Sequence, residues 1–541
     1  MIYLYVPFSC MKVTKNFHTN IFEQTVLTIF TALLHGGGNI LVLPAEGSHW
    51  INMDILLQAC HEKGHNLTIL RSNKSWYIKE KSSDYHTLTV QVERSLDQKS
   101  ITKIIKEVID FERGALPLTN FLHMSVGMIG TFLDAHEAVA EFMTGILGNS
   151  ELMKKLKDSK FDLVLTDPCW GGGVILAKYL NLPLVYNVRW LLAVEAHQAI
   201  APSPLSYIPI TGSGNTDKMT FLQRVKNVAF HLITETQNHL VSQIYQKLSD
   251  KYLGPGIDYK QLMLDADIWL MRADFVFEFP RPTMPNVIYM GGFQCKPAKP
   301  LPEDLEEFVQ SSGEHGVIIM SMGTFVSELP ADMTDELASA FARLPQKVIW
   351  RHKGRKPATL GNNTLLVDWM PQNDLLGHPK VKLFVAHGGT NGVQEALYHG
   401  VPVVGLPLFF DQYDNLLRLK ERGGAEILSI QTVDKEDTFL KAIQGVLNEP
   451  SYRMNMQRLS RLHRDTPIKP LDSALFWIEF VIRHKGAAHL KAQSLQMPWY
   501  FYHSVDVFVF LAGALLLVLL TVFMLMRCFY NRMFKKKVKH E

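Results

Sequence analysis

Cysteine is scarce in this 541-residue sequence, which contains five cysteines and no Cys-x-x-Cys pair. This scarcity argues against a disulfide scaffold and against a zinc-finger site. A Gly-x-Gly-x-x-Gly fingerprint after a strand pattern is also absent, which argues against a nicotinamide-dependent dehydrogenase. An excess of charge is missing too, because 55 basic side chains stand against 52 acidic ones. Such a balance lacks the excess of basic side chains that is typical of nucleic-acid-binding proteins.

The composition that remains is that of a globular protein, with 47% hydrophobic and 20% charged residues. These fractions exclude a mainly disordered, collagen-like or coiled-coil chain. At roughly 100–200 residues per domain, the length indicates two to four domains.

One long uncharged run stands near the C-terminus, at Val507–Met526. Twenty residues at a rise of about 1.5 Å span about 30 Å, the hydrocarbon thickness of a bilayer, so we predict a transmembrane helix over 507–526. Residues 527–541 hold six basic side chains and one acidic one, while the rest of the chain is slightly acidic. The positive-inside rule predicts that this basic tail is cytosolic and that the chain before residue 507 lies on the other side.

The N-terminus resembles a signal peptide, because Thr25–Leu34 is a short apolar run that precedes three glycines. We predict a signal-peptide region over 1–35; initiation at Met11, or an N-terminus that is disordered or packs in the core, are the alternatives. Sequons at Asn66, Asn73 and Asn362 are candidate glycosylation sites on a lumenal chain.

The last residues, Lys537-Val-Lys539-His-Glu541, resemble a dilysine retrieval signal. They predict a single-pass protein of the endoplasmic reticulum membrane with its main part in the lumen. The alternative is a plain basic cluster that contacts anionic lipid.

Two stretches of the chain alternate strand and helix patterns, which predicts parallel sheets covered on both faces. The first stretch contains strand patterns at 39–44, 67–70, 161–166 and 183–186, and a helix pattern at 51–63. The second contains strand patterns at 317–321, 348–351, 365–369, 381–386 and 402–405. The patterns at 85–150 and 190–260 are mostly helical. We therefore predict an α/β protein with two Rossmann-like domains and a ligand cleft between them.

The densest functional pattern lies between Trp369 and Asn415. A strand ends at His387, the chain turns on two glycines, and a helix begins near Asn391. Free N–H groups at a helix N-terminus bind anions, which predicts a phosphate or diphosphate site here. Glu395 lies one turn after Asn391 on the same helix face, where it can bind ligand hydroxyls. A second turn at Gly323-Thr324 offers further phosphate donors.

This segment resembles the signature of the UDP-glycosyltransferases, and more closely that of the animal UDP-glucuronosyltransferases. The resemblance extends over residues 36–530 and includes Gly47-Ser-His-Trp50, Thr166-Asp-Pro168, Glu278-Phe-Pro-Arg-Pro282 and the membrane-anchored end. It implies the GT-B fold, with an acceptor-binding domain at 36–285 and a UDP-sugar-binding domain with return helices at 286–497.

The resemblance also implies a role for each residue of the motif. Trp369 and Gln372 would hold the uracil, and Glu395 the ribose hydroxyls. The diphosphate would be contacted by Thr324, His387 and Asn391. Asp411 and Gln412 would hydrogen-bond the transferred sugar. The structural alternatives are that Asp411 caps its helix and that Trp369 lies in the core.

The same resemblance makes His49 the general base that takes the proton of the acceptor hydroxyl, with Asp167 orienting its imidazole. His49 follows the first strand and Asp167 ends a later strand, which places both at the ligand-binding edge. Imidazole titrates near neutral pH, as a general base requires. The alternative for Asp167 is a helix cap.

The implied activity is inverting transfer of a sugar from a UDP-sugar to a small lipophilic alcohol or phenol, without cofactor or metal. Glucuronic acid is the expected sugar, and glucose, galactose or N-acetylglucosamine are the alternatives. Asp265-Ala-Asp267 formally matches an Asp-x-Asp metal motif, but we interpret it as the start of a strand. Membrane lipid and related enzymes in homo- or hetero-oligomers are the other expected partners. A non-catalytic membrane protein that binds lipid or sugar nucleotide is the alternative of another class.

Overall fold

The computed structural model describes residues 37–94, 106–110, 113, 118–189, 195–323, 326, 329–409 and 411–537. The signal peptide predicted at 1–35 and the end of the basic tail lie outside the described residues. The chain forms two compact units, one up to Ala487 and the other over Ala488–Glu541.

The first half of the larger unit is built on a seven-stranded parallel sheet of order β3-β2-β1-β4-β5-β6-β7. Its strands are β1 Asn39–Leu43, β2 Asn66–Ser72, β3 His86–Val90, β4 Leu163–Thr166, β5 Leu184–Val188, β6 Ile268–Met271 and β7 Val287–Tyr289. The central strands are apolar and buried, as in a parallel sheet that helices cover on both faces. The four strand patterns predicted in this half are confirmed.

A six-stranded parallel sheet of order β10-β9-β8-β11-β12-β13 forms the second half. Its strands are β8 Val317–Ser321, β9 Lys347–Arg351, β10 Thr364–Val367, β11 Val381–Ala386, β12 Val403–Gly405 and β13 Ala425–Ile427. Alternate residues of β8 enter different cores: Ile318 packs with Trp350 on one face, and Ile319 packs with Phe384 on the other. The sheet is therefore covered on both faces, as predicted.

Helices connect the strands of both sheets, in the crossover pattern that parallel pairing requires. In chain order the helices of the larger unit are α1 Ser48–Glu62, α2 Leu118–Leu147, α3 Ser150–Asp158, α4 Gly173–Leu180, α5 Ala196–Ile200, α6 Phe221–Tyr252, α7 Tyr259–Met263, α8 Glu303–Gln310, α9 Ala331–Ala342, α10 Gln372–Leu376, α11 Thr390–His399, α12 Gln412–Glu421, α13 Thr438–Asn448, α14 Pro450–Arg464 and α15 Pro470–His484.

Helix α1 is confirmed where the sequence predicted a helix, but of the apolar positions 51, 55 and 59, which the pattern predicted on one face, only Ala59 is buried. Trp50, Met53, Leu57 and Cys60 are buried at helical spacing. Ile51, an apolar residue of the predicted face, is exposed. The hydrophobic pattern of a helix with apolar residues on two sides does not say which side packs on the sheet.

In each sheet the strand order reverses its direction of winding once. The reversal lies between β1 and β4 in the first sheet and between β8 and β11 in the second. In open α/β sheets the ligand crevice forms outside the carboxyl ends of the strands at such a point. The fold therefore places two ligand-binding edges in one unit.

The first sheet extends past residue 285, the end that we predicted for the first domain. Strand β7 pairs with β6, so the predicted boundary falls one strand too early. Helix α15 returns to this first half, since Lys485 forms an ion pair of 2.7 Å with Asp162 and the backbone N–H of Ala487 donates to Asp267 Oδ1.

The smaller unit contains two short 3₁₀ turns and the helices α16 Trp499–Tyr502 and α17 Val505–Lys537. Within α17, the candidate span Val505–Phe534 contains an 18-residue stretch with a mean hydropathy of 2.9 and no buried part. Its length and composition suffice to cross a bilayer, and the predicted span 507–526 lies inside it. The described part of the chain therefore contains one helix, near the C-terminus, that can anchor the protein in a membrane.

Candidate functional site

The winding reversal of the first sheet brings His49 and Asp167 together. Asp167 directly follows β4, and His49 lies in the first turn of α1, after the loop that leaves β1. Gly47 precedes this helix with φ of 71°, a left-handed conformation that favours glycine. His49 Nδ1 lies 2.6 Å from Asp167 Oδ2. The structure thus places the predicted pair within hydrogen-bond reach.

Asp167 is ionised in this arrangement. Burial alone would raise the pKa of its carboxyl group, but the interactions with His49 and Arg272 outweigh burial and lower the pKa below its usual value. A carboxylate accepts hydrogen bonds only, so the proton between the two groups belongs to Nδ1 of His49. The imidazole then carries its free lone pair on Nε2, the atom that can accept a proton from a substrate.

Arg272 is a third member of this cluster that the sequence reasoning missed. It directly follows β6 and is 4% exposed, and its Nη2 lies 3.2 Å from both Asp167 Oδ2 and His49 Nδ1. The one signal that could have found it is its position at the carboxyl end of a strand in the same sheet. Arg272 fixes the second lone-pair direction of the Asp167 oxygen and so orients the carboxylate against the imidazole.

His387 lies at the winding reversal of the second sheet, directly after β11. Gly323 and Gly389 pack against its ring so closely that a Cβ at either position would overlap with Nε2. Burial lowers the pKa of His387 to about 4, with a further contribution from the nearby guanidinium of Arg351. The imidazole is therefore neutral near pH 7, with one donor and one acceptor nitrogen. Thr324, the other residue predicted at this turn, lies outside the described residues.

Helix α11 begins directly after this turn and carries Asn391 and Glu395 one turn apart. Glu395 Oε2 accepts a hydrogen bond of 2.6 Å from Gln372 Nε2, at the start of α10. Burial raises the pKa of Glu395 to about 7, although this hydrogen bond opposes the shift. The structure therefore brings Gln372, Asn391 and Glu395 together at one helix end, where free backbone N–H groups favour an anion.

Asn391 also contacts the other half of the unit. Its Oδ1 accepts a hydrogen bond of 2.7 Å from Nδ2 of Asn52. Asn52 lies on α1, one turn after His49, and is 4% exposed. The helix that carries His49, the candidate base, is thus in direct contact with α11, the helix whose start is the candidate anion site.

Asp411 and Gln412 lie where α12 begins, next to this helix end. Asp411 occupies the N-cap position of α12, but its side chain makes no capping hydrogen bond. Its Oδ2 accepts from Thr390 Oγ1 at 3.1 Å and from Asn415 Nδ2 at 2.7 Å. Gln412 uses its Oε1 to accept from the backbone N–H groups of residues 408 and 409.

Trp369 lies in the loop after β10 and is 71% exposed. The alternative that it belongs to the core is therefore wrong. The strand predicted at 365–369 ends at Val367, because the chain leaves the sheet before the tryptophan. A free indole face on a loop at the carboxyl edge of the sheet is available for stacking on a planar base.

Comparison with known proteins shows the family of the chain. The sequence model of the family described as "UDP-glucoronosyl and UDP-glucosyl transferase" matches residues 38–540. The chain belongs to this family of UDP-glycosyltransferases. UDP-glucuronosyltransferase 2A2 of Homo sapiens is 42% identical over 499 residues, which are 91% of each chain. UDP-glucuronosyltransferase 2A1 of Rattus norvegicus is 43% identical over 493 residues, 89% of this chain and 93% of its own.

Solved glycosyltransferases share the fold of the chain. The glycotransferase of kitacinnamycin is similar with a TM-score of 0.56 at 16% identity, over 82% of this chain and 100% of its own. A UDP-glucosyltransferase from Polygonum tinctorium is similar with a TM-score of 0.54 at 15% identity, over 83% of this chain and 99% of its own. These similarities establish the GT-B architecture that the sequence predicted.

A buried ring of charges joins the two halves of this glycosyltransferase, and the sequence reasoning missed it. Glu278 binds Arg189 at 2.5 Å and Arg418 at 2.8 Å, while Glu195 lies 3.2 and 3.3 Å from the same two guanidinium groups. All four side chains are at most 5% exposed. Asn415 accepts hydrogen bonds from both arginines and donates one to Asp411. This residue therefore connects the ring of charges to the candidate sugar-binding residues.

The Asp265-x-Asp267 pattern has a structural role in the transferase. Asp267 precedes β6, and its two carboxylate oxygens accept backbone hydrogen bonds from Leu184 and Ala487. Among the described residues, His49, Asp167 and Cys169 have ligand atoms close enough for a metal ion. Burial raises the pKa of the Cys169 thiol, however, so it stays protonated and is a poor ligand.

Proposed function

We propose that the protein transfers glucuronic acid from UDP-glucuronic acid to a hydroxyl of a small lipophilic alcohol or phenol, with inversion to a β-glycoside. The observation that carries the proposal is the hydrogen-bonded pair of His49 and Asp167 in the half that faces α11. The relatives, which are named UDP-glucuronosyltransferases, support the choice of donor.

His49 is the general base of the proposed reaction. Its Nε2 takes the proton of the acceptor hydroxyl while the acceptor oxygen forms a bond to the anomeric carbon of the sugar. The bond from that carbon to the diphosphate breaks, and UDP leaves with the electron pair. Asp167, held in turn by Arg272, stabilises the imidazolium that forms.

The proposed donor site lies at the start of α11. The N–H groups of this helix end, together with Thr324, His387 and Asn391, receive the charge that develops on the leaving diphosphate. No metal or other cofactor enters this step. Asp411 and Gln412 hold the hydroxyls of the transferred sugar.

The uridine part of the donor has its own proposed contacts. Trp369 stacks on the uracil, and Gln372 hydrogen-bonds it. Glu395 accepts hydrogen bonds from the ribose hydroxyls, for which its ionised form is the stronger acceptor.

We place the main unit in the lumen of the endoplasmic reticulum, with the basic tail in the cytosol. The basic residues of 527–541, which follow the apolar part of α17, support this orientation through the positive-inside rule. Asn66, Asn73 and Asn362 are exposed, as glycosylation requires. Association with copies or related enzymes belongs to the same proposal.

The test is an assay of expressed membranes with UDP-glucuronic acid, UDP-glucose, UDP-galactose and UDP-N-acetylglucosamine and a simple phenol. We expect glucuronide formation by the wild type, its loss in His49→Ala and its retention in His61→Ala, which changes an exposed histidine of the same helix. Activity of His49→Ala at the wild-type level would overturn the base assignment. Formation of another glycoside alone would correct the donor, and formation of no glycoside by the wild type would favour the non-catalytic alternative.

A further inference from the structure

Gln394 is a buried amide in α11, the helix whose start is the candidate anion site. It directly precedes Glu395 and is 1% exposed. A buried amide is stable only where its oxygen and its NH₂ group find hydrogen-bond partners. The partners of Gln394 lie 100 to 122 positions earlier in the chain, in the loops that follow β6 and β7. One side chain of the second half therefore binds the ends of two strands of the first sheet.

The NH₂ group of Gln394 holds the backbone of Arg272. Gln394 Nε2 donates a hydrogen bond of 2.8 Å to the carbonyl oxygen of Arg272. This carbonyl directly follows β6, where the ladder of the sheet ends and backbone groups need other partners. The backbone N–H of Arg272 donates to the carbonyl of Val188 over 3.1 Å. The backbone of Arg272 is thus fixed between the first sheet and α11.

The oxygen of Gln394 sets the orientation of its amide. Oε1 accepts hydrogen bonds from the backbone N–H of Gly292 at 3.2 Å and from Nε2 of Gln294 at 2.9 Å. A backbone N–H only donates and a carbonyl only accepts, so exchanging the oxygen and the NH₂ group would break the bonds to Gly292 and Arg272 together. The NH₂ group of Gln394 is therefore directed at Arg272.

The position of the Arg272 side chain depends on this backbone contact. Its hydrogen bonds to Asp167 and His49 both come from Nη2, whereas its Nε has no partner among the described residues. Because an arginine side chain is long and has many rotamers, a guanidinium bonded at one end is placed by the backbone from which it extends. A shift of the Arg272 backbone would move the guanidinium relative to the carboxylate of Asp167.

Other contacts join the same loops to the second half. His463 of α14 contacts Asp274, and Gly292 packs so closely against the ring of His463 that a Cβ there would overlap with it. Arg422 donates to the backbone carbonyl of Glu278. The attachment of these loops therefore does not depend on Gln394 alone, and what distinguishes Gln394 is its contact with Arg272.

We propose that Gln394 is a positioning residue of the reaction. It holds Arg272 from α11, and Arg272 holds the carboxylate of Asp167 against the imidazole of His49. The helix that carries the anion site thus also fixes the group that orients the base, which keeps donor and base in one geometry. This inference rests on the proposed function of His49 and Asp167 as the base and its partner.

The test compares Gln394→Met with Gln294→Met in the full-length protein in nanodiscs. Both substitutions replace a buried amide with an apolar side chain of similar length, but only the first removes the bond to Arg272. Initial rates with UDP-glucuronic acid and a simple phenol give kcat. Calorimetry gives the Kd for UDP, and the stoichiometry of UDP binding gives the folded fraction. His49→Ala is measured beside them as the test of the base itself.

We expect Gln394→Met to lower kcat about tenfold at an unchanged Kd for UDP, because displacement of a catalytic group slows the chemical step and not donor binding. Gln294→Met should keep kcat within about twofold of the wild type, since it leaves the contact with Arg272 in place.

Wild-type kcat in Gln394→Met would overturn the inference, while loss of activity in His49→Ala would still uphold the proposed function. A parallel loss of kcat and UDP affinity in Gln394→Met would mean that Gln394 only supports the packing of α11. An equal loss of kcat in Gln294→Met would mean that the contact with Arg272 is not the important one. Either result would overturn the inference as well. Wild-type activity of His49→Ala would refute the proposed function and the inference with it.

Discussion

The hydrogen bond between Asn52 and Asn391 makes a prediction about donor binding. An amide side chain has one oxygen and one NH₂ group, and Asn52 already engages the oxygen of Asn391 over 2.7 Å. The NH₂ group of Asn391 must then point the other way, and NH₂ is the group that an anionic diphosphate requires. Asn52 would therefore orient the contact that we propose for Asn391.

Asn52→Asp replaces the donor with a carboxylate, which accepts hydrogen bonds only. It would attract the NH₂ group of Asn391 and turn its oxygen towards the diphosphate. The lost contact and the new repulsion together cost about 3 kcal/mol, a roughly 100-fold weaker Kd for UDP. Asn52→Ala removes the constraint without reversing the amide, which costs about 1 kcal/mol, or roughly fivefold in Kd.

Isothermal titration calorimetry of UDP binding to the full-length protein in nanodiscs measures both effects. Gln58→Ala, at an exposed position of the same helix, is the matched control. We expect affinity to fall in the order wild type, Asn52→Ala, Asn52→Asp. Equal UDP affinity of the two Asn52 variants would refute the orientation argument. Unchanged affinity in both variants would mean that the hydrogen bond between Asn52 and Asn391 has no role in donor binding.

Three further predictions follow from the site. Asp167→Asn should lower kcat by about 10²–10⁴-fold, because the imidazole loses its orienting carboxylate, while calorimetry shows unchanged UDP affinity. The pKa of Glu395 is raised to about 7, so its carboxyl group ionises as pH rises through that value. UDP affinity should then rise more steeply from about pH 6 to pH 8 in the wild type than in Glu395→Gln, which keeps the pH dependence of the UDP phosphate but loses that of Glu395. Glu278→Gln leaves the buried guanidinium groups of Arg189 and Arg418 underpaired, so the free energy of unfolding should fall by about 3 kcal/mol, measured by thermal unfolding in nanodiscs.

The sequence predicted the parts of this fold that leave a periodic or local signal. Long apolar strands such as β1, β8 and β11 follow turn residues and alternate with helices, so both sheets could be predicted. His49 and Asp167 could be placed together because each follows a strand, and neighbouring parallel strands end at one edge. Short or less apolar strands, such as β3 and β13, gave no comparable signal.

Contacts between distant parts of the chain could not be predicted in this way. Arg272 and the ring around Glu278 are polar residues whose burial depends on partners more than a hundred positions away. The pairing of Asn52 with Asn391 joins positions 339 residues apart. A single sequence contains no pattern that relates such residues, because only packing of the complete unit brings them together.

The buried ring of charges has a consequence for recombination within the family. Three of its members, Arg189, Glu195 and Glu278, lie in the first half of the unit and together carry one excess negative charge. Arg418 in the second half supplies the balancing positive charge. A chimera that joins the first half of this protein to the second half of a relative without a cation at this position would contain an unpaired buried carboxylate. The two halves are therefore exchangeable only as sets with matching charges.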